Sequence, residues 1–465
     1  MSASQVTYIR PRLEPFEAAI SAYRAAEFTD CLRVLSTHSG PAATALRARA
    51  LLRVGRPADA LEETGFALAA DLPEHFASEL LILRATALVQ LSRFSEAEEV
   101  LVEGRVRAYL SGSAELEADA EFTTAQMHWS AYRFDDARAS IRRTLAVEAP
   151  RDRWFGASSN FYLKPLTESR ARAYDLLGLI AAADEAYDEQ ARLEIAALEE
   201  LASLPDADPF LVAGLLTNLA VLVRELDAPE LHTFLRSRVA ALKFTEGTKG
   251  YEFHIRRSLG TRSALLGDHL GALREFRLSA DAAPTVGLRM VAILDRVALA
   301  REIGEQTCAQ EELEFALRLS KSVNWESAHV QDRFPLMLLA RELAYENAGA
   351  ARKLLDVYLK FKSPLPPTEV GGHDRRLHAE DACAQAAVLR AEGEPQRATS
   401  LLLDAFKVFS EIGYCWRAAL VAADLVELTG EDKYREYAER QANSRPNSWL
   451  TRRLRAAALQ TATAG

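Results

Sequence analysis

The stretch LGTRSALLGDHLGALREFRLSADAAP, residues 259–284, decides the fold. Apolar residues recur in it at helical spacing on both sides of a glycine, and β-branched alternation is absent, so it predicts two helices joined by a short turn. Small residues at Gly260 and Ala272 would let these two helices approach closely. Phe276 would then fill the gap against the next helix pair, and Pro284 would end the second helix.

The Leu-Gly pair, the later Ala-x3-Phe and the closing Pro of this stretch resemble the tetratricopeptide repeat (TPR) family, whose unit is a helix-turn-helix of about 34 residues. The family's Trp and Tyr positions hold Arg256 and Ser263 here. The resemblance implies stacked helix pairs that present a surface for binding and rarely carry out chemistry.

Further turns of the same kind are marked by small residues along the chain. They are Ala60, Ala97, Ala137, Ala272, Ala309 and Ala398. The intervals Ala60–Ala97, Ala97–Ala137 and Ala272–Ala309 are 37, 40 and 37 residues, so these units are longer than the short consensus unit. Longer units resemble the sensory repeats of bacterial regulators, namely peptide-pheromone receptors and the helical sensor of maltose-activator-type transcription factors. The ATPase and DNA-binding modules of the latter regulators are not recognisable in this sequence.

The predicted fold is therefore all-α, a right-handed α-solenoid of about 10–12 TPR-like helix pairs. Residues 1–12 are expected to form a tail and 13–361 the repeat array. Residues 362–376, rich in Pro and Gly, are interpreted as a loop rather than a domain boundary because helical pairs resume after them. Residues 377–465 would hold further repeats and a basic last helix. That helix would cap the final apolar face, or else contact an anionic partner or a membrane surface.

Composition narrows the function classes. The 465 residues carry 56 basic and 66 acidic side chains, a net charge of −10, whereas a duplex-binding protein usually has a strongly basic face. The four cysteines are scattered without a C-x-x-C pair, which disfavours disulfides and structural zinc. No signal peptide and no apolar run of membrane-spanning length is apparent. We therefore expect a cytoplasmic protein that binds neither nucleic acid nor membrane.

Motifs that carry chemistry are missing. The sequence has no P-loop, no dinucleotide-binding G-x-G-x-x-G, no H-E-x-x-H and no G-x-S-x-G, so no enzyme activity and no cofactor is expected. GGHDRRLHAEDAC, residues 371–383, gathers two His, three acidic residues and a Cys. Metal binding needs several such groups to converge, and a polar helix start is the preferred interpretation.

The TPR resemblance also implies where a partner would bind. In that family the first helix of each pair lines a concave groove, and positions near its small residue point into the groove. Carried over to this chain, the groove positions are Gln126, Trp129, Arg172, Asp175, Asn218, Arg224, His254 and Arg257. Each of them could equally be a polar contact between helices. Asn can bond a peptide backbone and Arg can hold a carboxylate with two bonds, which suits a peptide ligand.

Arg224 and Arg257 come from adjacent repeats and would form a positive spot that attracts an acidic peptide or a C-terminal carboxylate. The sequence thus favours a scaffold or regulator that binds a protein or peptide segment, in bacterial signalling or transcription control. The alternative is a ligand- or peptide-sensing regulator whose output comes from a partner. A homodimer through one end of the solenoid also remains open.

Overall fold

The computed structural model describes residues 14–148, 166–184, 186–204, 207–225, 229–325, 333–360 and 372–443, together with Thr451 and Leu454. Within these residues the chain forms 22 α-helices and one 3₁₀ turn, and no strand. The first eleven helices are α1 (Glu14–Arg24), α2 (Phe28–Leu35), α3 (Pro41–Arg53), α4 (Pro57–Leu68), α5 (Glu74–Gln90), α6 (Phe94–Ser111), α7 (Ala114–Ser130), α8 (Phe134–Ala146), α9 (Leu166–Ala183), α10 (Tyr187–Ala202) and α11 (Pro209–Glu225). The others are α12 (Pro229–Ala241), α13 (Lys249–Leu265), α14 (His269–Ala282), α15 (Val286–Ile303), α16 (Gln306–Ser320), α17 (Phe334–Leu343), α18 (Ala348–Lys360), α19 (Gly372–Ala391), α20 (Pro395–Glu411), α21 (Cys415–Thr429) and α22 (Asp432–Asn443).

The chain divides into two compact units. Unit 1 comprises the residues up to Leu215 together with Phe244–Thr248, and unit 2 comprises Leu216–Lys243 and the residues from Lys249 onward. The prediction of an all-α helical-repeat fold is confirmed, and the described residues form eleven helix pairs. The division into units does not fall at residues 362–376.

Each unit is built from successive helix pairs. The first helix of a pair packs on the second and also on the first helix of the next pair, as in α3–α5–α7–α9 of unit 1 and α13–α15–α17–α19 of unit 2. We call the surface formed by these first helices the first-helix surface of each unit. An interior first helix such as α5 touches four neighbouring helices and buries ten of its residues, whereas a second helix such as α4 buries only Ala60 and Thr64.

The alanines that marked the repeats in the sequence are the contact points between the two helices of a pair. Ala60, Ala97, Ala137, Ala272, Ala309 and Ala398 are all at most 1% exposed. An apolar residue four positions later, one turn along the same helix face, is buried beside five of them: Leu101, Ile141, Phe276, Leu313 and Leu402. This recurring pair of positions makes the units TPR-like.

The pair α13/α14 has the packing that its sequence predicts. A Cβ added at Gly260 would lie 2.7 Å from two ring atoms of Phe276. The Phe276 ring can therefore pack against α13 because residue 260 is a glycine. Phe276 also packs with Leu299 of the following helix pair. Helix α14 ends at Ala282, one residue before the extended Ala283 that precedes Pro284. Gly267, at φ 85°, makes the turn between the helices.

Two boundaries differ from the sequence prediction or extend it. Helix α19 begins at Gly372, so residues 372–376 are helical rather than part of the predicted loop, and 362–371 lie outside the described residues, as do 1–13. Near the C-terminus Leu454 is 8% exposed and packs into the apolar cluster of α19–α22. The apolar face of the last pair thus receives a residue from beyond α22.

Candidate functional site

On the first-helix surface of unit 1, Arg172 of α9 is engaged within the chain. Its Nη2 lies 2.8 Å from Oε1 of Glu168 and 3.1 Å from Oδ2 of Asp208, and its side chain is 13% exposed. Nη2 of Arg53, on α3, lies 2.6 Å from the same Asp208 oxygen. Burial alone would raise the pKa of Asp208, but the charges of Arg53 and Arg172 outweigh it and lower that pKa. Arg172 is therefore one member of a cluster of four charges.

The acid of this cluster is supplied by the segment that starts α11. Asp208 also accepts a hydrogen bond from the backbone N–H of Phe210 at 2.9 Å. The Phe210 ring lies 4.6 Å beneath the guanidinium of Arg53 and 5.9 Å, edge to face, from Phe28 of α2. Residues 208–210 thus fill the surface of unit 1 at α2, α3 and α9, where a groove ligand was predicted to contact Arg172.

The other predicted residues of unit 1 lie on two neighbouring first helices. Gln126 and Trp129 are one turn apart on α7, and Asp175 is on α9. Gln126 and Asp175 are half-buried, while Trp129 is 36% exposed. Helices α7 and α9 are in contact, so these positions share the first-helix surface that the resemblance implies. Whether they bind a partner stays a prediction.

The first-helix surface of unit 2 contains a cavity of about 680 Å³. Its residues come mainly from the first helices α15, α17, α19 and α21. They include the small side chains Ala298, Ala344, Ala386, Ala387 and Ala391 and the apolar Leu402, Leu420 and Val421. Because alanine side chains reach only a short distance from the backbone, they leave space between the helices. The volume lies within the range of about 300–1,000 Å³ that is usual for ligand sites.

Ion pairs cover the polar part of this larger cavity. Arg301 bonds to Glu342 at 3.0 Å and to Glu346 at 2.7 Å, and its guanidinium lies 4.9 Å over the ring of Tyr345. Arg390, which is 45% exposed, lies 2.8 Å from Glu427. The Tyr345 side chain is 66% exposed. An aromatic ring and partly open charges therefore border a space lined with small residues.

A smaller cavity of about 120 Å³ adjoins the larger one, and the two share Ala298, Arg341 and Arg417. Of the predicted groove residues, Arg224 and Arg257 both line it, and their binding to a partner stays a prediction. Arg257 is paired within the chain, since its Nε lies 2.5 Å and its Nη2 3.3 Å from the carboxylate of Asp295 on α15.

His254 and Asn218 are the other two predicted groove positions of unit 2. The His254 side chain is exposed. Partial desolvation of its imidazole, together with the charges of Arg257 and Arg224, lowers the pKa of His254 to about 4. Its imidazole is therefore neutral near pH 7. Asn218 is half-buried on α11, and neither residue is among those that line the smaller cavity.

Sequence reasoning missed the part of the smaller cavity that α17, α19 and α21 provide. Arg417 donates two hydrogen bonds to Glu380, one of them 2.7 Å long from its Nε. Burial opposes ionisation of Glu380, but Arg417, Arg341 and Arg376 together lower the pKa of Glu380 to about 2. Trp416 completes the wall. The signal in the sequence is weak, because α13, α15 and α19 each carry three arginines, and of these Arg257 and Arg376 line the smaller cavity.

The metal candidate at 371–383 is only partly within the described residues, since the side chains of His373 and Asp374 lie outside them. Glu380 is paired with Arg417, and Asp381 accepts a 2.7 Å hydrogen bond from Tyr358. Across the described part of the chain, no three His, Cys, Asp or Glu side chains group as metal ligands would. Burial raises the pKa of the Cys383 thiol to about 12, so this thiol is protonated at neutral pH.

Comparison with known proteins finds similarity at the level of structure. No family model matches the chain, and no curated protein matches it. The apo form of the quorum sensor NprR from B. thuringiensis is 13% identical, with 89% of this chain and 99% of NprR covered and a TM-score of 0.42. Yeast Tom70 is 14% identical over 97% and 96% of the two chains, with a TM-score of 0.38. The human IFIT1 dimer with m7Gppp-AAAA is 14% identical over 91% and 94%, with a TM-score of 0.42.

None of the described helices combines the length and the apolar character that crossing a bilayer requires.

Proposed function

We propose that this chain is a non-enzymatic interaction protein that holds a segment of a partner protein in the larger cavity of unit 2. The observation that carries the proposal is the 680 Å³ cavity itself, set between first helices and lined by alanines. An extended peptide needs room for its backbone and for alternate side chains, and small residues on the lining provide that room.

The border of the cavity suits a protein segment. Tyr345 is a rigid aromatic side chain with most of its surface open, the type that contributes most at protein interfaces. Arg390, Asp424 and Glu427 form pairs whose members keep 20–45% of their side chains exposed. Such pairs can accept or donate hydrogen bonds to a peptide backbone without a buried charge being left alone.

Titratable groups of the two cavities, Cys383 in the larger and Glu380 in the smaller, argue against catalysis there. General acid–base chemistry works best when a group has a pKa near the working pH. Glu380 has a pKa of about 2 and Cys383 of about 12, so the carboxylate is a weak base and the thiol a poor nucleophile near neutrality. These groups are suited to fixing the wall of a binding site.

For the biological setting we propose a cytoplasmic regulator in bacterial signalling or transcription control, whose output a partner supplies. The long repeat units support this setting. The volume of the larger cavity also supports a second candidate, a sensor of a small molecule or short peptide, since that volume is typical of ligand sites.

Site-specific photocrosslinking tests the proposal. A photoreactive phenylalanine analogue at Tyr345 should crosslink to the partner, while the same analogue at Phe66, which is 75% exposed on α4 of unit 1, should not. Ala387→Trp, which fills the cavity, should weaken binding at least tenfold, roughly the loss expected for a blocked interface centre. Leu270→Trp, at a position 82% exposed on α14, is the matched control.

Crosslinks from position 66 alone, or unchanged binding by Ala387→Trp, would place the partner elsewhere and refute the proposal. A small molecule retained through purification of the wild type and absent from Ala387→Trp would instead support the sensor.

A further inference from the structure

Helix α6, the second helix of the third pair in unit 1, exposes an apolar stripe. Its members are Val102, Val106, Tyr109 and Leu110, which are 52%, 55%, 74% and 64% exposed. Because they follow one another at intervals of four, three and one residues, they lie on one face of the helix. We call them the α6 stripe. Single exposed apolar side chains are common, but a contiguous group of them usually marks a contact surface.

The corresponding face is charged on other second helices. Val102 and Val106 lie five and nine positions after Ala97, the small residue that marks their repeat. The residues at the same two positions of three other second helices are exposed and charged: Arg277 and Asp281 of α14, Glu314 and Arg318 of α16, and Asp356 and Lys360 of α18. The packing of a helix pair therefore does not require apolar residues at these positions, and the α6 stripe needs another explanation.

The charges of α6 are separated along the helix. Its first ten residues contain four glutamates, and two arginines follow: Glu96, Glu98, Glu99 and Glu103, then Arg105 and Arg107. Glu103 and Arg107 pair with each other at 2.9 Å and are 55% and 35% exposed, so they can exchange partners with a neighbouring molecule. A second copy of α6 running in the opposite direction would bring its basic half beside the acidic half of the first. A parallel copy would bring acidic half beside acidic half, which is unfavourable.

We propose that the α6 stripe is the contact surface of a homodimer, in which α6 of one copy packs antiparallel against α6 of a second copy. A two-fold axis at Val106 makes the surface complementary to itself. Val102 then lies opposite Tyr109 of the second copy, because both are on one edge of the stripe and at similar distances from Val106. On the other edge, Arg107 lies beside Glu103 of the second copy. Since α6 belongs to the third helix pair, this contact is not one through an end of the solenoid.

The size of the α6 stripe determines how strong this dimer is. Four side chains on one helix form an apolar patch on the order of 300–500 Å², whereas a standard interface buries about 800 Å² on each partner. The contact is therefore at the small end of specific interfaces. We expect reversible association with a dissociation constant on the order of 10–100 µM.

Sedimentation velocity of the full chain tests the contact. The wild type should change from monomer to dimer as its concentration rises through the expected dissociation constant. Val106→Glu should weaken association at least tenfold, because it places two carboxylates against each other at the two-fold axis. Arg318→Glu is the matched control, since residue 318 has the same position on α16 and is 65% exposed, and it should associate like the wild type. Tyr109→Lys repeats the test if Val106→Glu has lost helicity by circular dichroism.

Mixing two variants identifies a second copy as the occupant. Val106→Glu and Val106→Arg should each remain monomeric, whereas an equimolar mixture should form a dimer, because opposite charges then meet at the axis.

Disulfide formation on mild oxidation with copper phenanthroline tests the orientation, with mass spectrometry to identify the joined peptides. Val102→Cys should join Tyr109→Cys of another copy rather than itself, since the two copies of residue 102 are about 12 Å apart along the helix axis.

Three results would overturn the inference. If the wild type stays monomeric at every concentration, the α6 stripe contacts a different protein or another part of this chain. If Val106→Glu and Tyr109→Lys both leave the dimer intact, the dimer forms through another surface. If the mixture of Val106→Glu and Val106→Arg does not associate, or Val102→Cys joins only itself, the antiparallel contact is wrong.

Discussion

Replacing Gly260 by alanine should destabilise unit 2, although alanine is the better helix former. The new Cβ would lie 2.7 Å from two carbon atoms of the Phe276 ring and 3.2 Å from a third. Phe276 is 3% exposed and packed between α13, α14 and α15, so these helices restrict the movement of its ring. The helix pair must therefore separate or the ring must leave its preferred rotamer.

The expected magnitude follows from two opposing contributions. Glycine to alanine within a helix gains about 1 kcal/mol of propensity, and overpacking a filled core costs about 1–3 kcal/mol. The net expectation is a loss of about 1 kcal/mol. Gly214→Ala in α11 is the matched control, because a Cβ there meets no atom within 4 Å. It should gain about 0.5–1 kcal/mol, so the same substitution should have opposite signs at the two positions.

Hydrogen exchange followed by mass spectrometry measures this effect where it acts, because a protein of two units need not unfold in a single transition. Amides of α13 and α14 should exchange faster in Gly260→Ala, by about tenfold for each 1.4 kcal/mol. Adding Phe276→Leu should restore part of the lost protection from exchange, because it replaces the clashing ring with a smaller side chain. Unchanged or slower exchange in the single variant would show that the close approach of the two helices is not what holds this pair.

Three further outcomes are expected. Arg49→Ala should lower the free energy of unfolding of unit 1, measured in urea, by about 3–5 kcal/mol, because it leaves Glu79 buried and unpaired. Arg33→Ala, at an exposed ion pair, should lower it by less than about 1 kcal/mol. Equal losses in the two variants would contradict this expectation. The pKa of Glu380 is held at about 2, below the usual value of about 4.3, so its ionised form stabilises the fold above about pH 4–5 and this contribution is lost as pH falls toward 2. The stability difference between wild type and Glu380→Gln should shrink over that range in urea titrations, and a difference independent of pH would count against the ion pair. Gly247→Ala should destabilise unit 1 by about 1–3 kcal/mol, since a Cβ there would collide with the backbone carbonyl of the α1–α2 turn; an unchanged melting profile would show that the turn can move aside.

The helix pairs could be predicted because their determinants are local. Gly260, Ala272 and Phe276 lie within 17 residues of each other, and the pattern of small and large residues reports which faces touch. The end of α14 before Pro284 follows from the restricted backbone of the residue that precedes proline. Such constraints act within one or two turns of helix, so one sequence is enough to read them.

The candidate site could be predicted only in part, because its electrostatics depend on distant partners. Arg257 meets Asp295, 38 positions later, and Arg53 meets Asp208, 155 positions later. Periodicity places an arginine on the first-helix surface, but it contains no information on which carboxylate lies opposite. Periodicity was therefore enough to predict that Arg224 and Arg257 lie near each other. It could not predict that Arg257 pairs with Asp295.

The two units use arginines of the first-helix surface differently, and the difference explains where a ligand is expected. In unit 1 the chain supplies its own acid and aromatic ring, Asp208 and Phe210, to Arg53 and Arg172. In unit 2 the arginines pair with carboxylates of neighbouring helices, and alanines leave space beside the pairs. To bind at this place in unit 1, an external segment would have to displace residues 208–210. The buried carboxylate of Asp208 would then lose its ion pairs with Arg53 and Arg172, which is unfavourable. In unit 2 the larger cavity offers space without such a displacement, so we expect a ligand on the first-helix surface of unit 2 and not at this place in unit 1.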